Sequence, residues 1–138
     1  MIHTAKQLKD KVKNLSDGRS EVAQSLIRYY FMERFLERVS VSEHRNNFIL
    51  KGGMLVASII GVDMRATMDI DTTVKELSLN EQDFRKIIEK ICAIQIEDGV
   101  TFKITSVKKI MEEFDYPGIR MMIEANLDRL KQPFSSVL

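Results

Sequence analysis

Between Phe48 and Lys75 the spacing of apolar residues takes three patterns in turn, and this stretch, FILKGGMLVASIIGVDMRATMDIDTTVK, constrains the fold more than any other part of the chain. Phe48-Ile49-Leu50 predicts a short apolar strand that ends at Gly52-Gly53, because paired glycines interrupt a strand and permit a tight turn. Met54 to Ile60 predicts an apolar helix closed by Gly61. Thr67 to Lys75 then alternates, with Met68, Ile70, Thr72 and Val74 on one face and Thr67, Asp69, Asp71, Thr73 and Lys75 on the other. One face anchors a strand in the core, and the other presents two carboxylates.

Strand residues two apart share a face with Cα atoms roughly 6.5 Å apart, so Asp69 and Asp71 can converge on one or two metal ions. Without a cation the two acids repel and one tends to stay protonated. Mg²⁺ suits such a pair because it prefers hard oxygen ligands and accepts one or two carboxylates together with phosphate oxygens. Gly52-Gly53 supplies the complementary half: without side chains a phosphate can approach closely, and the following helix N-terminus directs free N–H groups at it. Metal and phosphates would meet between the glycines and the aspartates, where an α-phosphate is oriented and a leaving pyrophosphate stabilised. Each half also has a plainer reading, a simple turn and an exposed strand face. Their order and separation, with an apolar helix between, make the combination more specific.

The flanking segments read as support. Leu8, Val12 and Leu15 predict a short amphipathic helix over residues 1–16, broken at Asp17-Gly18. Ser20 stands as the N-cap of a longer helix reaching about Ser40, with Val22, Leu26, Tyr29, Met32, Leu36 and Val39 on one stripe. Ile27, Tyr30, Phe31 and Phe35 widen that stripe, so the helix should pack on more than one side and back the sheet. Tyr29-Tyr30-Phe31 at helical spacing reads as core before it reads as a base-stacking platform. Ser78-Leu-Asn-Glu81 has the form of a capping box, predicting a helix to about Ala93 that buries Phe84, Ile87, Ile88 and Ile91. Asp98-Gly99 turns the chain into a strand over Thr101 to Val107, and Tyr116-Pro117-Gly118 turns it into a second over Ile119 to Leu127, an antiparallel pair. Phe134 to Leu138 starts another strand.

With 138 residues the chain suits a single domain, 1–138, with a core of its own. A net charge of +1 supplies no global field for nucleic acid, so any such partner must be selected locally. The single cysteine, Cys92, excludes an internal disulfide and reads as a reduced thiol in a helix, which places the protein most simply in the cytoplasm. His3 and His44 have no partner at metal-ligand spacing. No apolar run approaches the roughly 20 residues of a membrane span.

The segments Tyr30-Phe-Met-Glu-Arg-Phe-Leu36, Phe48-Ile-Leu-Lys-Gly-Gly53 and Arg65-Ala-Thr-Met-Asp-Ile-Asp71, with a looser match from Tyr116-Pro-Gly118 onward, resemble the AbiEii/AbiGii-type nucleotidyltransferase toxins of the DNA polymerase β-like superfamily. The resemblance implies an α+β nucleotidyltransferase-like fold, a small mixed sheet flanked by helices. It also implies transfer of a nucleotide from an NTP, with Mg²⁺, to an acceptor such as the 3′ end of tRNA, within a toxin–antitoxin or phage-defence system. By that analogy Asp69 and Asp71 are catalytic metal ligands, Gly52 and Gly53 bind the triphosphate, and Lys51 and Arg65 pair with phosphate charge or serve as structural ion-pair residues. A cognate antitoxin and a homo-oligomer are the protein partners to expect.

One departure opens an alternative. The resemblance implies a third carboxylate in an Ile-Asp-Ile-like segment directly after Lys131-Gln-Pro-Phe134, where this chain reads Ser135-Ser-Val-Leu138, and a helical C-terminal part beyond it. The chain therefore reads as an N-terminal fragment or a shortened relative. Glu124, or less directly Asp128, would replace the third acid if its strand lay beside Asp71. Otherwise the chain is a catalytically incomplete relative that binds a protein partner or oligomerises. Solvent exposure of Met121, Met122 and Phe134 would favour that alternative.

Overall fold

A computed structural model describes residues 2–43, 48–51, 69–74, 81–111 and 117–137, with the strands nearest the aspartates described by backbone placement and register. The predicted helix at Met54 to Ile60, the Ser78 capping box, His44, Gly52, Gly53 and Arg65 lie outside the described residues.

Helix α1 (Ala5–Ser16) starts at a capping box that apolar periodicity does not reveal: Thr4 accepts from the Gln7 N–H while the Gln7 side chain accepts from the Thr4 N–H. Its buried residues Leu8, Val12 and Ser16 repeat every four positions, which leaves Leu15 62% exposed rather than in the apolar stripe. Asp17 and Gly18 follow with φ of 53° and 79°, the left-handed conformation that ends a helix. Helix α2 (Ser20–Ser40) begins one residue earlier than expected, with Arg19 rather than Ser20 at the N-cap and no side-chain cap bond. It touches α1, helix α3 (Glu81–Cys92), and two strands, so it packs on more than one side as its wide apolar surface requires.

The strands β1 (Phe48–Lys51), β2 (Asp69–Val74), β3 (Val100–Met111), β4 (Pro117–Leu127) and β5 (Leu130–Val137) form a mixed sheet in the order β1-β2-β5-β4-β3. Only the β2–β5 pair is parallel, and α3, β3 and β4 intervene in sequence as a crossover requires. Pro117 and Gly118, expected in a turn, already belong to β4; a proline is tolerated as the first residue of a strand.

β4 shows how one strand sorts its residues. Met121, Ile123, Ala125 and Leu127 are fully buried beneath the helices, while Met122, Glu124 and Asn126 between them are half-buried and Arg120 is exposed. Phe102 of β3 and Phe134 of β5 flank this row on the helix side and meet Phe35 of α2 edge-to-face, at centroid separations of 5.5 and 5.7 Å. Such contacts add about 0.5–1.5 kcal/mol each beyond area burial. Met121 and Phe134 are therefore core residues, and the exposure that would have favoured an incomplete binding module is not observed.

A buried ion pair locks α2 to the chain between α3 and β3. The Arg38 guanidinium, 1% exposed, uses every N–H it has: Nη1 and Nη2 donate to Asp98 Oδ2 and Oδ1 at 2.9 and 3.0 Å, and the remainder donate to the carbonyls of Arg34, Ile94 and Val100. It also lies 4.8 Å from the Phe102 ring centroid. Asp98, which sequence alone presents only as a turn residue, is the counter-charge. Arg38 follows Phe31 and Phe35 on one buried helix face, and a cation at that spacing was the signal available in the sequence.

Candidate active site

Asp69 and Asp71 stand on β2, which is an inner strand with β1 on one side and β5 on the other. As strand positions two apart they occupy one face of the sheet. Register identifies that face. Asp69 is opposite Ser135 of β5, Ser135 is opposite Met122 of β4, and Met122 belongs to the β4 set that does not pack under the helices. The acid pair therefore occupies the sheet face away from α1, α2 and α3, and Ser135, opposite Asp69 on that face, is buried.

Lys51, the last residue of β1, is opposite Asp71. Directly opposed residues of antiparallel strands have Cα atoms about 4.5–5.5 Å apart, so the fold places these two predicted positions beside one another. It holds Asp69 and Asp71 together by strand spacing. Gly52 and Gly53 follow Lys51 in sequence, and with Arg65 they lie outside the described residues.

The third-acid question has a topological answer. β5 lies directly beside β2, with Ser135 opposite Asp69 and Val137 opposite Asp71, so these are the positions from which a neighbouring carboxylate would join the pair. Glu124 does not take that place. It is on β4, separated from β2 by β5, and it forms an ion pair with Lys103 of β3 at 3.3 Å. Asp128 is likewise excluded: it occupies the β4–β5 turn at φ 55° and accepts the Ala5 N–H at 2.8 Å, serving the start of α1. Among the described residues no group of three or more His, Cys, Asp or Glu side chains gathers. The donor chemistry present is a pair of carboxylates beside a lysine, which fits a hard divalent cation carrying phosphate oxygens of its own.

A family model described as nucleotidyl transferase AbiEii toxin, type IV TA system, matches residues 34–135, well over half of the sequence. The chain belongs to this family. The match runs from α2 through β5 and so includes Lys51, Asp69 and Asp71, and the mixed α+β architecture agrees with the nucleotidyltransferase-like fold expected of an AbiEii toxin. No curated protein and no solved structure matches the chain.

Asp98 of this AbiEii chain serves structure. Burial works against the charge on Asp98, but hydrogen bonds from Arg38 and the Val100 N–H, with the charges of Arg38 and Arg34, outweigh it and hold the carboxyl below its ordinary range. Burial pushes the Cys92 thiol up to about 12, so it stays protonated and unreactive at neutral pH. A groove between α1 and α2, lined by Tyr30, Glu33 and Arg34 among others, lies on the helix side and is not part of the acid-bearing face. No helix among the described residues is long and apolar enough to cross a membrane.

Proposed function

We propose that this AbiEii-family chain, acting as one domain, is a Mg²⁺-dependent nucleotidyltransferase that moves a nucleotide from an NTP to an acceptor such as the 3′ end of tRNA. The observation that carries the reading is the placement of Asp69 and Asp71 two residues apart on an inner strand, with Lys51 opposite Asp71, in a chain of this family. Asp69 and Asp71 would hold the cation, whose charge would stabilise the negative charge on the transferring phosphoryl group and the leaving pyrophosphate. Lys51 would pair with phosphate oxygens as a point charge, and Arg65 would add a bidentate contact. Gly52 and Gly53 would admit the triphosphate to backbone N–H groups. The family supports a cognate antitoxin as partner, and the reduced cysteine supports a cytoplasmic setting.

Isothermal titration of each of the four NTPs with Mg²⁺ into the chain and into Asp69→Ala/Asp71→Ala tests this. Binding that requires the metal and disappears in the double variant is expected. A folded wild-type chain that binds no Mg-NTP would falsify the reading.

A second reading, a catalytically incomplete relative that engages a protein partner or a second copy, draws on one specific observation: the β5 positions beside the acid pair are Ser135 and Val137. Activation of an acceptor hydroxyl commonly needs a carboxylate in reach. Val137→Asp places one in register with Asp71. If the second reading holds, this variant should gain nucleotidyl transfer to a tRNA pool that the wild type lacks, whereas comparable transfer by both proteins supports the first.

A further inference from the structure

Among the described residues the buried polar side chains are those of Ser16, Arg38, Asp98 and Ser135. The first three serve the fold. The Ser16 hydroxyl donates to the Lys13 carbonyl one turn back in its own helix, and Arg38 and Asp98 satisfy one another. Ser135, 4% exposed, is different: it stands on the sheet face away from the helices, and β5 places it in register with Asp69.

A strand serine has fewer local outlets than a helical one. In a helix the hydroxyl reaches a carbonyl three or four positions back, as Ser16 does, whereas three positions along a strand span about 10 Å. β5 is paired on both sides at Ser135, so the backbone groups alongside it belong to the ladders with β2 and β4. A buried hydroxyl in that place is satisfied by what its neighbours on the same face carry.

Those neighbours are few. Met122 is opposite on β4, Asp69 is opposite on β2, and Pro133 and Val137 lie two positions away along β5. Of these residues Asp69 alone is polar. Glu124, diagonal to Ser135 across β4, is engaged with Lys103 at 3.3 Å. Ser135 itself is engaged, not idle.

The chemistry of the two groups is complementary, because an ionised carboxylate only accepts hydrogen bonds and a serine hydroxyl can donate one. Mg²⁺ demands near-ideal octahedral geometry, so the direction of each carboxylate that binds it matters. We propose that Ser135 is a positioning residue of the cation site, its hydroxyl serving Asp69 so that this acid keeps the orientation the metal requires. Burial of Ser135 agrees with that role, since a partner of this kind lies behind the ligand and only the ligand must be reached by the cation. β5 thereby has a part in the site although it supplies no carboxylate. This rests on the reading of Asp69 and Asp71 as cation ligands.

The test is titration of Mn²⁺, a hard divalent cation followed by its paramagnetic resonance, into the wild type, Ser135→Ala, Ser135→Cys, Ser135→Thr and Asp69→Ala, with the Tm of each protein measured in parallel. Ser135→Ala should bind Mn²⁺ about tenfold more weakly, the scale on which metal sites respond to loss of a hydrogen bond to a ligand. Ser135→Cys, which fills the same space with a weak donor, should resemble Ser135→Ala, and the resonance of bound Mn²⁺ should change shape in both. Ser135→Thr, which keeps the hydroxyl, should restore affinity and line shape. Wild-type affinity and line shape in Ser135→Ala overturn the assignment, and so does wild-type behaviour of Ser135→Cys, which would make the residue a packing element. No Mn²⁺ binding by the wild type, or undiminished binding by Asp69→Ala, instead removes the cation-site reading on which the assignment depends.

Discussion

Asp98 and the pair Asp69–Asp71 are both sheet-associated carboxylates, and the protein treats them in opposite ways. Asp98 is fully buried on the helix side, where two guanidinium N–H groups and a backbone N–H satisfy it. Its charge is consumed internally and can act on nothing else. Asp69 and Asp71 stand on the other face of the same sheet, two carboxylates on one strand with one lysine opposite. The first arrangement is complete without a ligand, whereas the second gathers acids of like charge at neighbouring positions of one strand, a pattern that a cation relieves. Within one sheet, the carboxylate paired inside the core serves the fold, and the pair on the opposite face is the one the proposed chemistry uses.

The contrast breaks most visibly at Arg38. Arg38→Ala strands the Asp98 carboxylate in the core and should destabilise the chain by about 3–5 kcal/mol, read as a large fall in urea midpoint or Tm. Arg38→Met/Asp98→Leu, which removes both charges and keeps apolar volume, should recover most of that loss. Recovery of nothing by the double variant would mean that the guanidinium's bonds to the Arg34, Ile94 and Val100 carbonyls, rather than the ion pair, hold α2 in place.

Acid sharpens the same contrast with a smaller effect. The Asp98 carboxyl is held below its ordinary value, so the stability it contributes is present above the unfolded-chain pKa of about 4 and is lost as pH falls through the lower folded value. Stability of the wild type should fall across that window, and Arg38→Met/Asp98→Leu should show a shallower acid decline in the same denaturation series. An identical decline would assign acid sensitivity to other carboxylates. The smallest effect is expected at the acid pair: without metal, Asp69→Asn/Asp71→Asn should change stability by no more than about 0.5 kcal/mol, or raise it, because two repelling charges are removed. A loss comparable to that of Arg38→Ala would show that these aspartates are structural.

Much of the fold was legible from periodicity. The two helices before β1, the strand at Asp69–Val74, the alternation of residues 121–127, the antiparallel β3–β4 pair and the core roles of Phe31, Phe84, Ile88 and Ile91 follow from local spacing. The errors have local causes as well. Leu15 fits a helical stripe as well as Ser16 does until α2 docks and selects the Leu8-Val12-Ser16 row. Asp98 looks like any aspartate before glycine until Arg38, sixty positions earlier, is placed against it. Glu124 and Asp128 were reasonable substitute acids only while the strand beside β2 was unknown; the sheet order assigns that place to β5.

The sequence by itself determined the family and which residues share a strand face, because an AbiEii match and a two-residue period are both carried by the order of side chains along the chain. Tertiary structure alone decided that Ser135 and Val137 stand beside the aspartates, that Lys51 is in register with Asp71, and that Lys108 is in register with Arg120 beyond a bulge at Thr105. Those outcomes depend on hydrogen-bond register between segments distant in sequence, and a one-residue shift in register exchanges the two faces of a strand without altering a single local preference.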